Sequence, residues 1–202
     1  MILFRNVRIM ELEPPSVSEP IDVAVYEPDE GAHGGTIAEI GTSLQTKYPK
    51  AKLAGDGGFL SPGLVCGHTH LYSVLSRGML VDIAPSKDFA QLLEHLWWRL
   101  DRAIDPEILQ ASALAGCSDA LKAGVTSLVD HHAGPECIAD SLSIIRKAYE
   151  DTGLRGILCY ETTDRNGMAE ARAGIAENVR FAKEVDNIRA SGLKPLVEAA
   201  IG

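Results

Sequence analysis

A chain of 202 residues with 46% hydrophobic content can bury one sizeable core, which excludes a disordered chain and a minimal disulfide scaffold. Its 28 acidic against 19 basic residues leave a net charge of -9, which argues against nucleic acid, since neutralising phosphates takes clustered Lys and Arg; a small polar or cationic substrate, or a metal ion, suits it better. No stretch approaches the ~20 apolar residues of a membrane span, the N-terminus lacks a continuous apolar signal core, and Cys66, Cys117, Cys137 and Cys159 form no CxxC pair, so a cytoplasmic protein with reduced cysteines and no membrane partner is expected.

The first sixty residues read as β structure. Ile2–Ile9, Ile21–Tyr26 and Thr36–Gly41 are short β-prone runs. Glu13-Pro14-Pro15-Ser16 between the first two is a loop by composition, and Glu27–Gly35 makes an unusually long hairpin connection. A small antiparallel unit is expected here.

From Gly58 onward the pattern changes to strand followed by helix. Ser61-Pro62-Gly63 interrupts an apolar run and places a strand at Leu64–His68. Ser86 can cap a helix whose apolar residues fall at Phe89, Leu92, Leu93, Leu96, Trp97, Leu100 and Ile104, a helical spacing. Asp105-Pro106 then combines a good N-cap with Pro at the first helical position, for a helix running to about Lys122. Val125–His132 is strand, Ile138 to about Asp151 helix, Leu154–Glu161 strand, Met168 to about Ala190 helix, and Leu196–Ile201 a fourth strand. Gly124, Gly153 and Gly192 punctuate the helix ends.

Two-sided apolar strands alternating with helices imply a parallel sheet covered by helices. An eight-unit barrel takes ~250 residues, so the fold class expected is α/β, the N-terminal half of a (β/α)8 barrel preceded by a small β layer. Ending on Ala199-Ala200-Ile201-Gly202, the sequence reads as the N-terminal portion of a longer protein.

Gly67-His68-Thr69-His70 directly follows an apolar strand. In extended backbone, residues two apart point to one side, so both imidazoles can face one divalent metal. Barrel enzymes keep their chemistry at this end of the strands. Two polar loop residues that merely alternate would give the same pattern.

The run Phe59-Leu60-Ser61-Pro62-Gly63-Leu64-Val65-Cys66-Gly67-His68-Thr69-His70 resembles the first barrel strand of the amidohydrolase superfamily. Tyr72–Gly78, Leu96–Arg102, Thr126–Ala133 and Glu161–Asn166 extend the resemblance toward the SsnA-like aminohydrolases of its deaminase and chlorohydrolase branch. The resemblance implies a metal-dependent hydrolase of non-peptide carbon–nitrogen bonds, a deaminase of a heterocyclic amidine, with a small-molecule substrate. It implies zinc or iron at His68 and His70. The family's remaining metal ligands and its acid/base Glu belong to later strands, so no catalytic residue is assigned within these residues, and the chain alone is expected to be inactive. The resemblance also implies that 1–58 is the N-terminal part of a composite β-sandwich and 59–202 the first four βα units; a homo-oligomeric full-length form is compatible with it. The Glu27–Gly35 connection departs from the family's short turn. Dehalogenase chemistry on the same scaffold, or a non-catalytic half-barrel that binds a partner, are the alternatives.

Asp130-His131-His132 also matches the triplet of a phosphoesterase family, but no DxD pair precedes it. In a barrel strand, His131 shares a face with Val125, Ser127 and Val129 and can reach the pocket as a substrate group, while His132 packs outward. A structural, hydrogen-bonded His131 is the competing reading. Arg165, following the third barrel strand, can hold a substrate carbonyl or carboxylate, or pair with Glu161 or Asp164 to pin its loop; Arg77 is a weaker candidate. Trp97 reads as core, and His95 and His33 as solvated.

Overall fold

The computed structural model describes residues 1–28 and 34–202, so His33 and most of the long hairpin tip lie outside the described residues. Two compact units divide the chain, Met1–Pro62 and Gly63–Gly202.

In the first unit a long strand, β1 (Ile2–Leu12), organises the rest. It pairs antiparallel with β2 (Pro15–Val17) and β3 (Ile21–Val25), and β3 pairs antiparallel with β4 (Ile37–Gly41). A short helix, α1 (Leu44–Lys47), precedes β5 (Lys52–Asp56) and β6 (Phe59–Leu60), and both of these strands run parallel to β1. The all-antiparallel expectation is therefore corrected. The segment through α1 carries the chain across, so it re-enters along β1 in the same direction, as a crossover allows and a tight hairpin does not. Pro15-Ser16, read as loop, belongs to edge strand β2, where Pro is tolerated. Leu3, Ala24 and Leu44 are buried together. The buried Asp22 carboxylate accepts from the Asn6 and Leu44 amides, each at 2.9 Å.

The second unit carries a four-stranded parallel sheet. Its strands are β7 (Leu64–Thr69), β8 (Val125–His132), β9 (Arg155–Tyr160) and β10 (Val197–Ala199). Spatial order follows chain order. A doubly wound sheet reverses order at a switch point; this one does not, which is the arrangement of a barrel wall. Between the strands come a 3₁₀ turn (Leu71–Ser76), a composite helix, α4 (Pro106–Lys122), α5 (Ser141–Thr152) and α6 (Met168–Ala190).

The composite helix consists of α2 (Phe89–Leu92), a π-helical turn (Leu93–Trp97) and α3 (Trp98–Asp101). Here three expectations are corrected. Asp88, not Ser86, is the cap, its carboxylate accepting from the Gln91 amide at 2.9 Å. The π turn inserts a wider winding, which rotates the predicted apolar stripe, and Trp97 is half-buried rather than core. His95 is half-buried as well, and its Nδ1 is enclosed without a hydrogen-bond partner among the described residues. It lines a cavity of about 430 Å³ with the 79–83 segment, Leu96, Arg99, Leu100 and Ala103, which none of the strand-end histidines lines.

Elsewhere the local rules hold. Asp105 caps α4, accepting from the Ile108 amide at 2.8 Å with Pro106 behind it. Helix α5 begins at Ser141, later than expected, because its N-terminal amides are held from outside: Glu177 of α6, itself buried, accepts from the amides of Asp140 and Leu142 at 3.1 Å each. Gly153 closes α5 at φ +76°, where a side chain would be strained. The sheet packs one face on these helices: Leu128, Leu158, Tyr160 and Val197 join Leu109, Leu142, Tyr149 and Phe181 in the core. Gly156 keeps that contact close, since a Cβ there would lie 2.5 Å from the Tyr149 ring of α5. The opposite sheet face is open, with Val65 70% exposed. All four cysteines are free, and Cys117, Cys137 and Cys159 are buried. No helix among the described residues is long and apolar enough to cross a membrane.

Candidate metal centre

The polar residues that matter gather at the carboxyl ends of β7, β8 and β9. At the end of β7 the pairing with β8 loses its regular register: Cys66 faces Leu128, but Thr69 faces Asp130. Three steps on one strand answer two on the other, so the bulge falls at Gly67-His68. Bulges re-aim side chains, and this one accompanies a convergence: His68 Nε2 and His70 Nε2 lie 3.0 Å apart, their rings edge-on.

His70 is held from behind. Its Nδ1 lies 2.8 Å from the His131 carbonyl oxygen. A carbonyl only accepts, so Nδ1 carries the proton and donates it, leaving the Nε2 lone pair for a ligand. This is the usual support of a metal-ligating imidazole. The spacing is close as well: two nitrogens each about 2.0–2.1 Å from one tetrahedral ion would stand about 3.3 Å apart, a few tenths of an ångström wider than they lie. The described residues contain no group of three or more His, Cys, Asp or Glu side chains able to hold a metal. A catalytic zinc takes three protein ligands, so the two imidazoles alone do not complete such a set.

Strand β8 supplies three different environments in consecutive residues. Asp130 is fully buried on the helix side; its Oδ1 accepts from the Leu71 amide at 2.7 Å, and burial pushes its carboxyl up to about 7. His132 is also fully buried, donating from Nε2 to the Cys137 carbonyl at 3.1 Å between the rings of Tyr72 and Tyr160; burial pulls it down to about 4, so it is neutral. His131 alone points to the open face, half-buried, its ring centroid 5.7 Å from that of His70, and burial lowers its pKa.

After β9, Arg165 meets two carboxylates: Nη2 lies 3.2 Å from Glu161 and 3.5 Å from Asp101, with the guanidinium 5.0 Å above the Trp98 ring. Asp101 is 3% exposed and also accepts from the Tyr72 hydroxyl at 2.9 Å. Its burial outweighs that hydrogen bond and the Arg165 charge, pushing it up to about 6. Arg102 links the next loops, reaching Glu136 at 3.2 Å and Asn166 at 2.6 Å. Arg77 pairs with Asp119 at 2.6 Å on the exposed surface. The structure thus brings His68, His70 and His131 together and gives Arg165 a cluster of its own. Sequence reasoning passed over Asp101, yet a signal exists: it lies four residues after Trp97 and three before Ile104, an acid on an apolar stripe.

The sequence model of the Amidohydrolase family matches residues 59–201. Among curated relatives, the chain is 28% identical over 148 residues to a 5'-deoxyadenosine deaminase of Methanothermobacter thermautotrophicus, covering 73% of this chain and 32% of that protein. It is 28% identical over 166 residues to a 5-methylthioadenosine/S-adenosylhomocysteine deaminase of Thermococcus sibiricus, covering 82% and 35%. The chain therefore spans about a third of the length of these relatives. Among solved structures, the zinc complex of the atrazine chlorohydrolase TrzN from Arthrobacter aurescens matches the whole chain with 46% of its own, at a TM-score of 0.68 and 19% identity.

Proposed function

From the premise that the chain belongs to the amidohydrolase family, we propose that His68 and His70 hold the divalent metal, zinc or iron, of a hydrolase acting on non-peptide carbon–nitrogen bonds, and that the reaction is deamination of a heterocyclic amidine. The observation that carries the reading is the 3.0 Å convergence of the two Nε2 atoms, with the His70 Nδ1 proton already committed to the His131 carbonyl. When bound, such an ion supplies Lewis acidity and activates water near neutral pH. The deaminase names of both relatives support an amino-substituted heterocycle as substrate class.

This chain's own residues then divide the work. His68 and His70 bind the ion. His131, neutral and on the open face beside His70, offers one ring hydrogen bond to a substrate. Arg165, with Nη2 between Asp101 and Glu161, orients the Glu161–Asn166 loop and meets a substrate only by sharing those partners. The 202 residues bind metal but do not turn over, because a positioned acid/base group, worth about 10²–10⁴-fold in rate, is not assigned among them.

The test is ammonia release from adenosine derivatives, pterins and pyrimidines by the whole gene product and by the 202-residue chain, each loaded with zinc or iron, with chloride release from a chlorotriazine in parallel. Ammonia from the whole product, abolished by His68→Ala or His70→Ala, supports the proposal. Chloride release without ammonia would favour the dehalogenase reading, and turnover by both histidine variants would overturn the metal assignment.

A further inference from the structure

Residue Leu71, immediately after the second histidine, is held at both of its backbone groups by side chains from other elements. Its amide donates to Asp130 Oδ1 at 2.7 Å, and its carbonyl accepts from Ser112 Oγ at 2.7 Å. The same Ser112 hydroxyl accepts from the Leu75 amide at 3.3 Å, securing the following turn. These contacts sit where the bulge at Gly67-His68 takes β7 out of register with β8. The ladder resumes only at Thr69, paired with Asp130, where β7 ends, so beyond that residue side-chain hydrogen bonds and not the ladder set the backbone's position.

Asp130 is an expensive choice for that task. It is fully buried, and its Oδ2 has no hydrogen-bond partner among the described residues. An enclosed carboxyl with an unmet oxygen destabilises, whereas an apolar residue of similar volume is often neutral or better. Stability therefore does not explain a carboxyl here, but geometry does. Adjacent residues of β8 grip adjacent residues of the β7 exit, the His131 carbonyl on the His70 ring and the Asp130 carboxyl on the Leu71 amide. Together they fix both the rotation of the imidazole and the path of the chain that carries it.

We propose that Asp130 is a positioning residue for the metal pair, acting through the Leu71 amide to keep His70 Nε2 aimed at the ion that His68 shares. The inference rests on the reading of His68 and His70 as metal ligands. It requires an acceptor oxygen at this position and not a negative charge, so Asn serves and Leu does not.

Zinc affinity of the 202-residue chain, measured by competition with a chromophoric chelator, tests it without reference to turnover. Outer-shell partners typically contribute about 10–100-fold in metal affinity. Asp130→Leu is expected to weaken zinc by that factor while unfolding remains cooperative, and Asp130→Asn to stay within about threefold of the parent. If Asp130→Leu does not fold, Ser112→Ala decides, since it frees the Leu71 carbonyl by removing one small hydroxyl; zinc is then expected to weaken measurably. Parental affinity in a folded Asp130→Leu, or in Ser112→Ala where that variant decides, overturns the proposal, provided His70→Ala has lost zinc. Parental affinity in His68→Ala and His70→Ala would instead overturn the metal reading beneath it.

Discussion

The two faces of β8 differ more than its sequence suggests. On the helix side Leu128, Asp130 and His132 are enclosed; on the open side Ser127, Val129 and His131 are partly exposed. Two adjacent histidines therefore have opposite work. His132 is a neutral core residue wedged between two tyrosine rings, and His131 lends its carbonyl to His70 while its ring faces the mouth of the sheet. What separates them is the two-residue period of a strand, together with helices on one face only.

That comparison can be broken by substitution. The largest effect is expected at the pair itself: His70→Ala should lower zinc affinity by at least about 100-fold, because one ligand of two is lost, as read by a zinc titration. Next comes His132→Ala, which empties a fully buried site and orphans the Cys137 carbonyl; it should cost about 2–4 kcal/mol in urea unfolding. His131→Ala keeps its backbone carbonyl and should cost under about 1 kcal/mol. Equal costs for the two would erase the distinction between the faces.

The buried acids and His132 also respond oppositely to pH. In Asp130 and Asp101 burial raises the native pKa to about 7 and about 6, so the native state keeps a proton that the unfolded chain has lost near 3.9. Their favourable contribution is complete below about pH 4 and disappears as pH rises through those native values. His132 has the reverse sign: unfolded imidazole protonates near 6.5 and the native one only at about 4. Its contribution is present above about pH 6.5 and is lost as pH falls toward 4. Asp130→Asn removes one acid, so its stability relative to the parent should improve as pH rises from about 4 to about 8. A difference independent of pH would contradict the buried acid. Arg165→Ala, which removes the pairs with Glu161 and Asp101, should cost about 1 kcal/mol, with zinc affinity unchanged.

Much of this was legible beforehand. Val125–His132 and Met168–Ala190 match their predicted bounds because apolar period and glycine punctuation agree there. That His68 and His70 face one side was legible from alternation, whereas a metal role for them came only with the family resemblance. Ser86 lost the cap to Asp88 because the helix begins only at Phe89, and Trp97 lost its core place because a π turn changes the winding in a way that a fixed period does not express. The parallel pairing of β5 and β6 with β1 depends on a crossover, which local propensity does not encode. Asp130 and Asp101 were hidden for a different reason: their roles come from tertiary partners 59 and 29 residues away in sequence.

The most direct measurement is X-ray absorption on the zinc-loaded chain and on its His68→Ala/His70→Ala variant. The expected spectrum of the parent contains two imidazole ligands with Zn–N at about 2.0–2.1 Å, and that signature disappears in the double variant. A zinc spectrum without imidazole, or one that the double substitution leaves unchanged, would contradict the assignment of His68 and His70 as the metal pair.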